Sequence, residues 1–95
     1  MGISVMEAYD IVEKLPDRNV LLSCVEYENE WEFIFIDVPL SFYGGTGVEG
    51  GLNDVVNKRT GKFSRVGTDA PSILARMKRP QKSVDVTQFP KGVKD

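Results

Sequence analysis

Apolar residues recur at helical spacing near the start of the chain, at Val5, Ala8, Tyr9, Val12 and Leu15. Positions three and four residues apart lie on one side of a helix, so this spacing predicts an amphipathic helix over residues 4–15. Ser4 and Glu7 have the spacing of a capping box, and Pro16 ends the helix because proline cannot continue it. The apolar side of this helix needs a surface to pack against.

From residue 20 onward the pattern changes to β-branched and aromatic residues. Residues 20–28 and 30–40 are two such runs separated by Asn29, and they predict a β-hairpin. Alternation along the second run divides its apolar residues between the two faces of a sheet, Trp31, Phe33 and Phe35 against Ile34, Ile36 and Val38. One helix covers only one face, so the tail of the chain, a curled sheet or another molecule has to cover the other.

A second hairpin is predicted after the glycine-rich residues 43–51. Residues 52–58 and 62–66 flank a turn at Arg59-Thr60-Gly61, where glycine supplies the positive φ that a tight turn requires. The two hairpins together predict four strands.

A short second helix follows the second hairpin. Thr68 or Asp69 caps it, Pro71 lies in its first turn, and it ends before Pro80. Its apolar side consists of Ile73, Leu74 and Met77. Beyond this helix, the only apolar alternation is at residues 83–87.

These elements predict an α+β fold, in which the N-terminal helix packs on a four-stranded antiparallel sheet made of two hairpins. The short second helix completes a single domain over residues 1–80. Residues 81–95 are predicted either to add an edge strand to this sheet or to form a loose tail.

The composition indicates a folded, soluble domain and removes several kinds of chemistry. The 95 residues are 41% hydrophobic and 27% charged, and no apolar run reaches the roughly 20 residues of a membrane span. There is no basic region with a long apolar stretch at the start, so we expect a cytoplasmic protein. The sequence has no histidine, which removes histidine-based catalysis and histidine-containing zinc sites.

The single cysteine, Cys24, cannot form an intramolecular disulfide, and the apolar run around it favours burial as a small hydrophobic residue. With neither an activated thiol nor an imidazole, the chain is predicted not to be an enzyme and to need no cofactor.

Charge is unevenly distributed along the chain. Residues 1–54 carry eleven acidic and two basic side chains, a balance of −9, whereas residues 55–95 carry ten basic and three acidic ones, a balance of +7. If the fold separates the halves, it presents an electrostatically guided surface; if the sheet interleaves them, they neutralise each other. Eleven opposing acids on so small a domain argue against nucleic acid as the partner.

The acidic residues around the first hairpin tip are the leading candidates for partner binding. Residues two apart on a strand share a face, so Glu26, Glu28, Glu30 and Glu32 predict an acidic cluster. Such a cluster is either a solvated tip that discourages edge pairing or a docking patch for a basic partner. Phe42 and Tyr43 are candidate anchors of the same interaction.

The glycine-rich loop suggests an alternative, a small-ligand or phosphate site. Gly45, Gly47 and Gly50 match the spacing of phosphate-binding glycine loops, and Lys58 and Arg59 could add positive charge. In dinucleotide-binding folds, however, a helix follows these glycines, whereas here a strand is predicted.

The segment Val55-Val56-Asn57-Lys58-Arg59-Thr60-Gly61-Lys62 and the later Gly67-Thr68-x-x-Pro71 carry a resemblance to a known family. Together with the Trp31 hairpin and the order of elements over residues 4–78, they resemble the small bacterial immunity-protein domains found beside polymorphic toxins. The resemblance implies an intracellular domain that binds a protein and has no catalytic residues. We therefore expect a non-catalytic, immunity-like or regulatory protein-binding domain, whose partner is another protein or a second copy.

Overall fold

The computed structural model describes residues 2–16, 18–36, 52–67 and 70–94. The elements in chain order are α1 (Val5–Glu13), β1 (Val20–Tyr27), β2 (Glu30–Ile36), β3 (Leu52–Asn57), β4 (Phe63–Gly67), α2 (Ala70–Met77) and β5 (Gln81–Ser83). The strands form one antiparallel sheet in the order β4-β3-β2-β1-β5. The predicted α+β fold is confirmed, and the tail contributes the fifth strand.

Helix α1 begins at the predicted cap. The Glu7 backbone N–H donates to Ser4 Oγ at 3.1 Å, and the Ser4 N–H donates to Glu7 Oε1 at 2.8 Å, which completes the capping box. The buried side chains of the helix are Ala8, Tyr9 and Val12. These positions follow the helical spacing of the sequence, so α1 lays one apolar side on the sheet.

Residues directly opposite each other in antiparallel strands share a face, so the register defines two faces of the sheet. The face that α1 covers, called here the inner face, carries Cys24 opposite Phe33 and Val56 opposite Trp31. The opposite face, called the outer face, carries Glu32 between Val25 and Val55.

The turn between β3 and β4 is organised by Asn57. Its Oδ1 accepts hydrogen bonds from the backbone N–H groups of Arg59 and Thr60, at 2.8 and 3.0 Å. Gly61 has a φ of +74°, the left-handed conformation that the sequence predicted for this position.

The C-terminal segment packs along β1 and completes the core. β5 pairs with residues 25–27 of β1, and farther along the chain Leu21 exchanges backbone hydrogen bonds with Lys91 and Val93. Phe89 is fully buried on the inner face, between Tyr9 and Phe33. The segment therefore covers the free edge of β1.

The fifth strand lies at Gln81–Ser83 and not over the alternating residues 83–87. Val84 and Val86 are half-buried against the core, and Asp85 Oδ1 accepts the Thr87 N–H at the start of a 3-10 turn, Val86–Gln88. The local cap turns the chain inward before the alternation can continue as a strand.

Candidate interaction surface

Helix α2 turns its apolar side away from the protein. Each side chain of the helix that is exposed is apolar, and the exposed fractions of Ile73, Leu74 and Met77 are 43%, 59% and 64%. The half-buried positions are Ser72 and Arg76, four residues apart and therefore on one side of the helix. A surface helix normally has the reverse orientation, with its apolar side toward the core. We call Ile73, Leu74 and Met77 the α2 stripe.

Arg76 attaches the helix to the outer face of the sheet. Its Nη2 donates to Glu30 Oε2 at 2.9 Å and its Nε donates to Glu32 Oε1 at 3.1 Å. Both carboxylates stand on β2 and are largely buried beneath the helix. Burial tends to lower the pKa of the Arg76 guanidinium, but its hydrogen bond to Glu30 and the charge of Glu32 raise that pKa overall. Arg76 is therefore positively charged at neutral pH.

Arg79 and Tyr27 extend the same contact. Arg79 Nη1 donates to Glu30 Oε2 at 3.1 Å, and the Tyr27 hydroxyl donates to Glu32 Oε1 at 3.0 Å. The guanidinium carbons of Arg76 and Arg79 lie 4.5 and 4.4 Å from the centre of the Tyr27 ring, within the range of cation–π attraction. Burial and the bond to Glu32 raise the pKa of Tyr27. We call Tyr27, Glu30, Glu32, Arg76 and Arg79 the arginine network.

Glu26 lies on the inner face of the sheet, opposite Trp31. Lys58 Nζ donates to Glu26 Oε2 at 2.7 Å and lies 5.1 Å from the centre of the Trp31 ring. The hydrogen bond to Lys58 lowers the pKa of Glu26. This pair lies on the other side of the sheet from the arginine network.

The structure therefore divides the four glutamates that the sequence grouped together. Glu30 and Glu32 pair with α2 on the outer face, Glu26 pairs with Lys58 on the inner face, and Glu28 is exposed in the turn between them. The division follows from the register of the hairpin, because Glu26 lies opposite Trp31 whereas Glu32 lies opposite Val25, which puts Glu26 and Glu32 on different faces. Phe42 and Tyr43, the candidate anchors, lie outside the described residues.

The two charge halves of the sequence interleave. Arg65 and Asp54 pair across β3 and β4, Lys91 pairs with Glu13 of α1, and the arginine network and the Lys58–Glu26 pair also join the halves. Over the described residues, the acidic half and the basic half thus neutralise each other through the sheet, as the second of the two sequence alternatives has it.

Two open clefts, each of about 430 Å³, lie at the end of the sheet where the hairpin turns meet. Glu28 and Lys58 line both clefts. Tyr27 and Lys82 line the first cleft, and Arg59 lines the second.

Of the residues in the phosphate alternative, Lys58 and Arg59 line a cleft together, whereas Gly45, Gly47 and Gly50 lie outside the described residues. The presence of Glu28 and the pairing of Lys58 with Glu26 reduce the positive charge available to an anion.

Two observations on the described residues concern reactive and metal-binding groups. Cys24 is buried, and desolvation, followed by the charges of Glu26 and Glu32, raises the pKa of its thiol to about 12. The thiolate needed for nucleophilic attack is therefore disfavoured at neutral pH. Among the residues that the structure describes, no group of three or more cysteine, aspartate or glutamate side chains is arranged to hold a metal ion.

Sequence reasoning missed the arginine network, although it identified the apolar side of α2. The pattern contained one usable signal, because Ser72, Arg76 and Arg79 follow one another at helical spacing opposite the apolar residues. When a neighbouring strand carries glutamates, the side of a helix that carries arginines can pack on the sheet instead of the apolar side. The apolar residues give the stronger signal, because the apolar side of a surface helix usually faces inward.

Comparisons with protein-family models, with curated proteins and with solved structures give no match for this chain. Within the described part of the chain, none of the helices has the length and apolar character needed to cross a membrane.

Proposed function

We propose that the chain is a non-catalytic protein-binding domain, immunity-like or regulatory, that contacts its partner through the α2 stripe. The observation that carries this proposal is the orientation of α2. Its charged side packs on the sheet, and its apolar side is exposed. Exposed apolar side chains that adjoin one another on one element mark interaction sites more often than scattered ones do.

Specific contacts hold α2 in this orientation. Arg76 and Arg79 make four hydrogen bonds to side chains of the first hairpin, and both stack on Tyr27. Rotating the helix to bury Leu74 and Met77 would break these bonds and leave Glu30 and Glu32 without their arginine partners. The network thus holds the stripe in its outward position.

The residue inventory supports a binding role over a catalytic one. The sequence has no histidine, and the thiol of Cys24 is buried with a raised pKa. The charged side chains of Arg76 and Arg18 are paired with carboxylates within the domain.

The immunity-like assignment rests on the resemblance of residues 55–62 and of the element order. Within this segment, Asn57 and Gly61 form the β3–β4 turn and Val55 and Val56 are buried, so the structure gives these residues roles in folding. The bacterial origin and the intracellular location implied by the resemblance belong to the same proposal.

The proposal is tested by replacing two stripe residues and measuring partner capture. The double variant Leu74→Gln/Met77→Gln removes the apolar surface, and glutamine is a good helix former. Because both side chains are exposed, we expect folding stability to change by at most about 0.5 kcal/mol. Capture of a stoichiometric partner from a lysate of the source cells should fall by about tenfold or more.

Met6→Gln is the matched control, since Met6 is an exposed apolar residue on the other helix. The control should capture the partner as the unmodified chain does. Equal capture by the stripe variant and the control would overturn the α2 assignment. Monomeric sedimentation with no stoichiometric partner would overturn the protein-binding function.

Phosphate binding at the cleft lined by Lys58 and Arg59 is the second candidate, favoured by the two adjacent cations. Inorganic phosphate and nucleotides should then raise the melting temperature, and Arg59→Gln should abolish that shift. No shift with any of these compounds would remove this candidate.

A further inference from the structure

The structure exposes one kind of sulfur in this protein and shields the other. Met77 has the largest exposed fraction among the large apolar side chains of the described residues, 64%, against 41% for Met6. Cys24 is buried, and its raised pKa keeps it protonated at neutral pH. Because oxidants react with the thiolate of cysteine and with the thioether of methionine, a mild oxidant should reach Met77 and spare Cys24.

Met77 is also the reactive member of the α2 stripe. The other two side chains of the stripe, Ile73 and Leu74, are hydrocarbons without an easily oxidised atom. Oxidation converts the flexible apolar side chain of methionine into a polar sulfoxide that accepts hydrogen bonds. A single oxygen atom added at Met77 therefore changes the polarity of the stripe.

We infer that Met77 is a modification site, at which hydrogen peroxide oxidises the thioether to a sulfoxide and makes the α2 stripe polar while the domain stays folded. This inference rests on the proposed function and specifies its regulation. A sulfoxide oxygen that is pressed against an apolar partner surface loses its hydrogen bonds to water, which is costly, so oxidation weakens binding.

The reaction needs no catalytic group from the protein. The lone pair of Met77 Sδ attacks one oxygen of hydrogen peroxide, and the S–O bond forms as the O–O bond breaks. The departing hydroxide takes the proton of the transferred oxygen and leaves as water. Sulfur loses two electrons and the peroxide gains them. Methionine sulfoxide reductases, supplied with a dithiol as reductant, reverse the step.

The domain stays folded because α2 is attached by its other side. Arg76 and Arg79 donate hydrogen bonds to Glu30 and Glu32 beneath the helix, and none of these bonds involves Met77. Oxidation of a buried methionine disrupts a core, but α2 has no buried side chain. The sulfoxide at Met77 therefore alters the surface and leaves the contacts of the arginine network in place.

The test treats the full chain with hydrogen peroxide at neutral pH and locates the added oxygen by mass spectrometry of its peptides. Retention on a phenyl hydrophobic-interaction column measures the polarity of the surface independently of any partner. Met77→Leu keeps the stripe apolar and removes its sulfur, and Met6→Leu is the matched control on α1. Both substitutions replace an exposed side chain by one of similar volume, so both variants should fold normally.

We expect the oxygen to appear at Met77 before Met6, with Cys24 remaining a free thiol. Column retention should fall for the unmodified chain and for Met6→Leu but not for Met77→Leu, and sulfoxide reductases with dithiothreitol should restore it. The melting temperature should change by less than about 4 °C. Partner capture from a lysate of the source cells should fall by about tenfold on oxidation, and Met77→Leu should make capture resistant to peroxide.

The contrary outcomes separate this inference from the proposed function. Oxidation of Met6 or Cys24 first, an equal fall in retention for Met77→Leu, or unfolding on oxidation removes Met77 as a surface switch. If oxidation leaves capture unchanged while Leu74→Gln/Met77→Gln abolishes it, the regulation is wrong and the proposed function stands. If retention responds to oxidation but capture responds to neither change, the binding role of the stripe is wrong, and the regulation is overturned with it.

Discussion

The ring of Phe89 stacks on the ring of Tyr9, with centroids 4.6 Å apart and planes inclined by 20°. Phe89 belongs to the last stretch of the chain and Tyr9 to its first helix, so the contact joins the two ends of the sequence. The Tyr9 hydroxyl also accepts the Lys91 backbone N–H at 3.1 Å. The segment after α2 is thus part of the core that it covers.

Phe89→Ala should destabilise the domain by about 3–5 kcal/mol, because it removes a fully buried aromatic side chain and leaves a cavity between α1 and β2. Chemical denaturation monitored by Trp31 fluorescence measures this change. The exposed Val93→Ala nearby is the control and should change stability little. Equal effects of the two substitutions would mean that the C-terminal segment does not hold the core.

The buried ion pair between Arg18 and Asp54 supports a second prediction. Arg18 Nε and Nη2 donate to the two carboxylate oxygens of Asp54 at 2.8 and 2.6 Å, and both side chains are nearly inaccessible. Arg18→Met removes this bidentate partner and leaves the buried Asp54 beside the more distant Arg65, so it should cost about 3–5 kcal/mol.

The matched test is a double-mutant cycle. Arg18→Met combined with Asp54→Leu removes both charges, so it should recover most of the stability lost by either single change. Denaturation midpoints of the four proteins measure the coupling. Additive losses in the double variant would contradict a shared ion pair.

These contacts show which parts of the fold can be predicted from a sequence pattern. The α1 helix, its Ser4 cap and the β3–β4 turn were predicted because their determinants lie within a few residues of one another. Arg18 and Asp54 are 36 residues apart, and Arg76 and Glu32 are 44 apart. No local spacing indicates such pairs, and Phe89 similarly gave no periodic signal.

The candidate surface was therefore only half predictable. The apolar residues Ile73, Leu74 and Met77 were identified, but helical spacing does not say which side of a helix faces the sheet. That choice depends on Glu30 and Glu32, whose burial beneath α2 requires a cation. Of the four glutamates expected to bind a partner, Glu30 and Glu32 make the internal contacts that orient α2.

Arg76→Met should loosen α2 without unfolding the sheet. Methionine keeps the helix propensity and much of the length of arginine, but it removes the bonds to Glu30 and Glu32. We expect faster hydrogen exchange in residues 70–77 and a loss of about 1–3 kcal/mol. Lys78→Met, at an exposed position of the same region, is the control. Unchanged exchange in the Arg76 variant would show that other contacts dock the helix.

The raised pKa of Cys24 predicts a specific loss of stability at alkaline pH. The thiol has a pKa of about 12 in the folded protein and an ordinary value of 9.0. Below pH 9.0 it is protonated in both states, so its contribution to stability is complete. As the pH rises from 9.0 toward 12, the unfolded chain releases this proton first, and the free energy of unfolding falls by up to about 1.4 kcal/mol per pH unit.

Cys24→Ala isolates the effect of the thiol from that of Tyr27. Burial and the contact with Glu32 also raise the pKa of Tyr27, so Tyr27 lowers the free energy of unfolding further at higher pH. The variant has no thiol to ionise, so its stability should fall less steeply above pH 9.0 than that of the unmodified protein. Urea denaturation of both proteins at several pH values measures the two slopes. The stability difference between them should shrink as the pH rises, and parallel curves would contradict a thiol held protonated by burial.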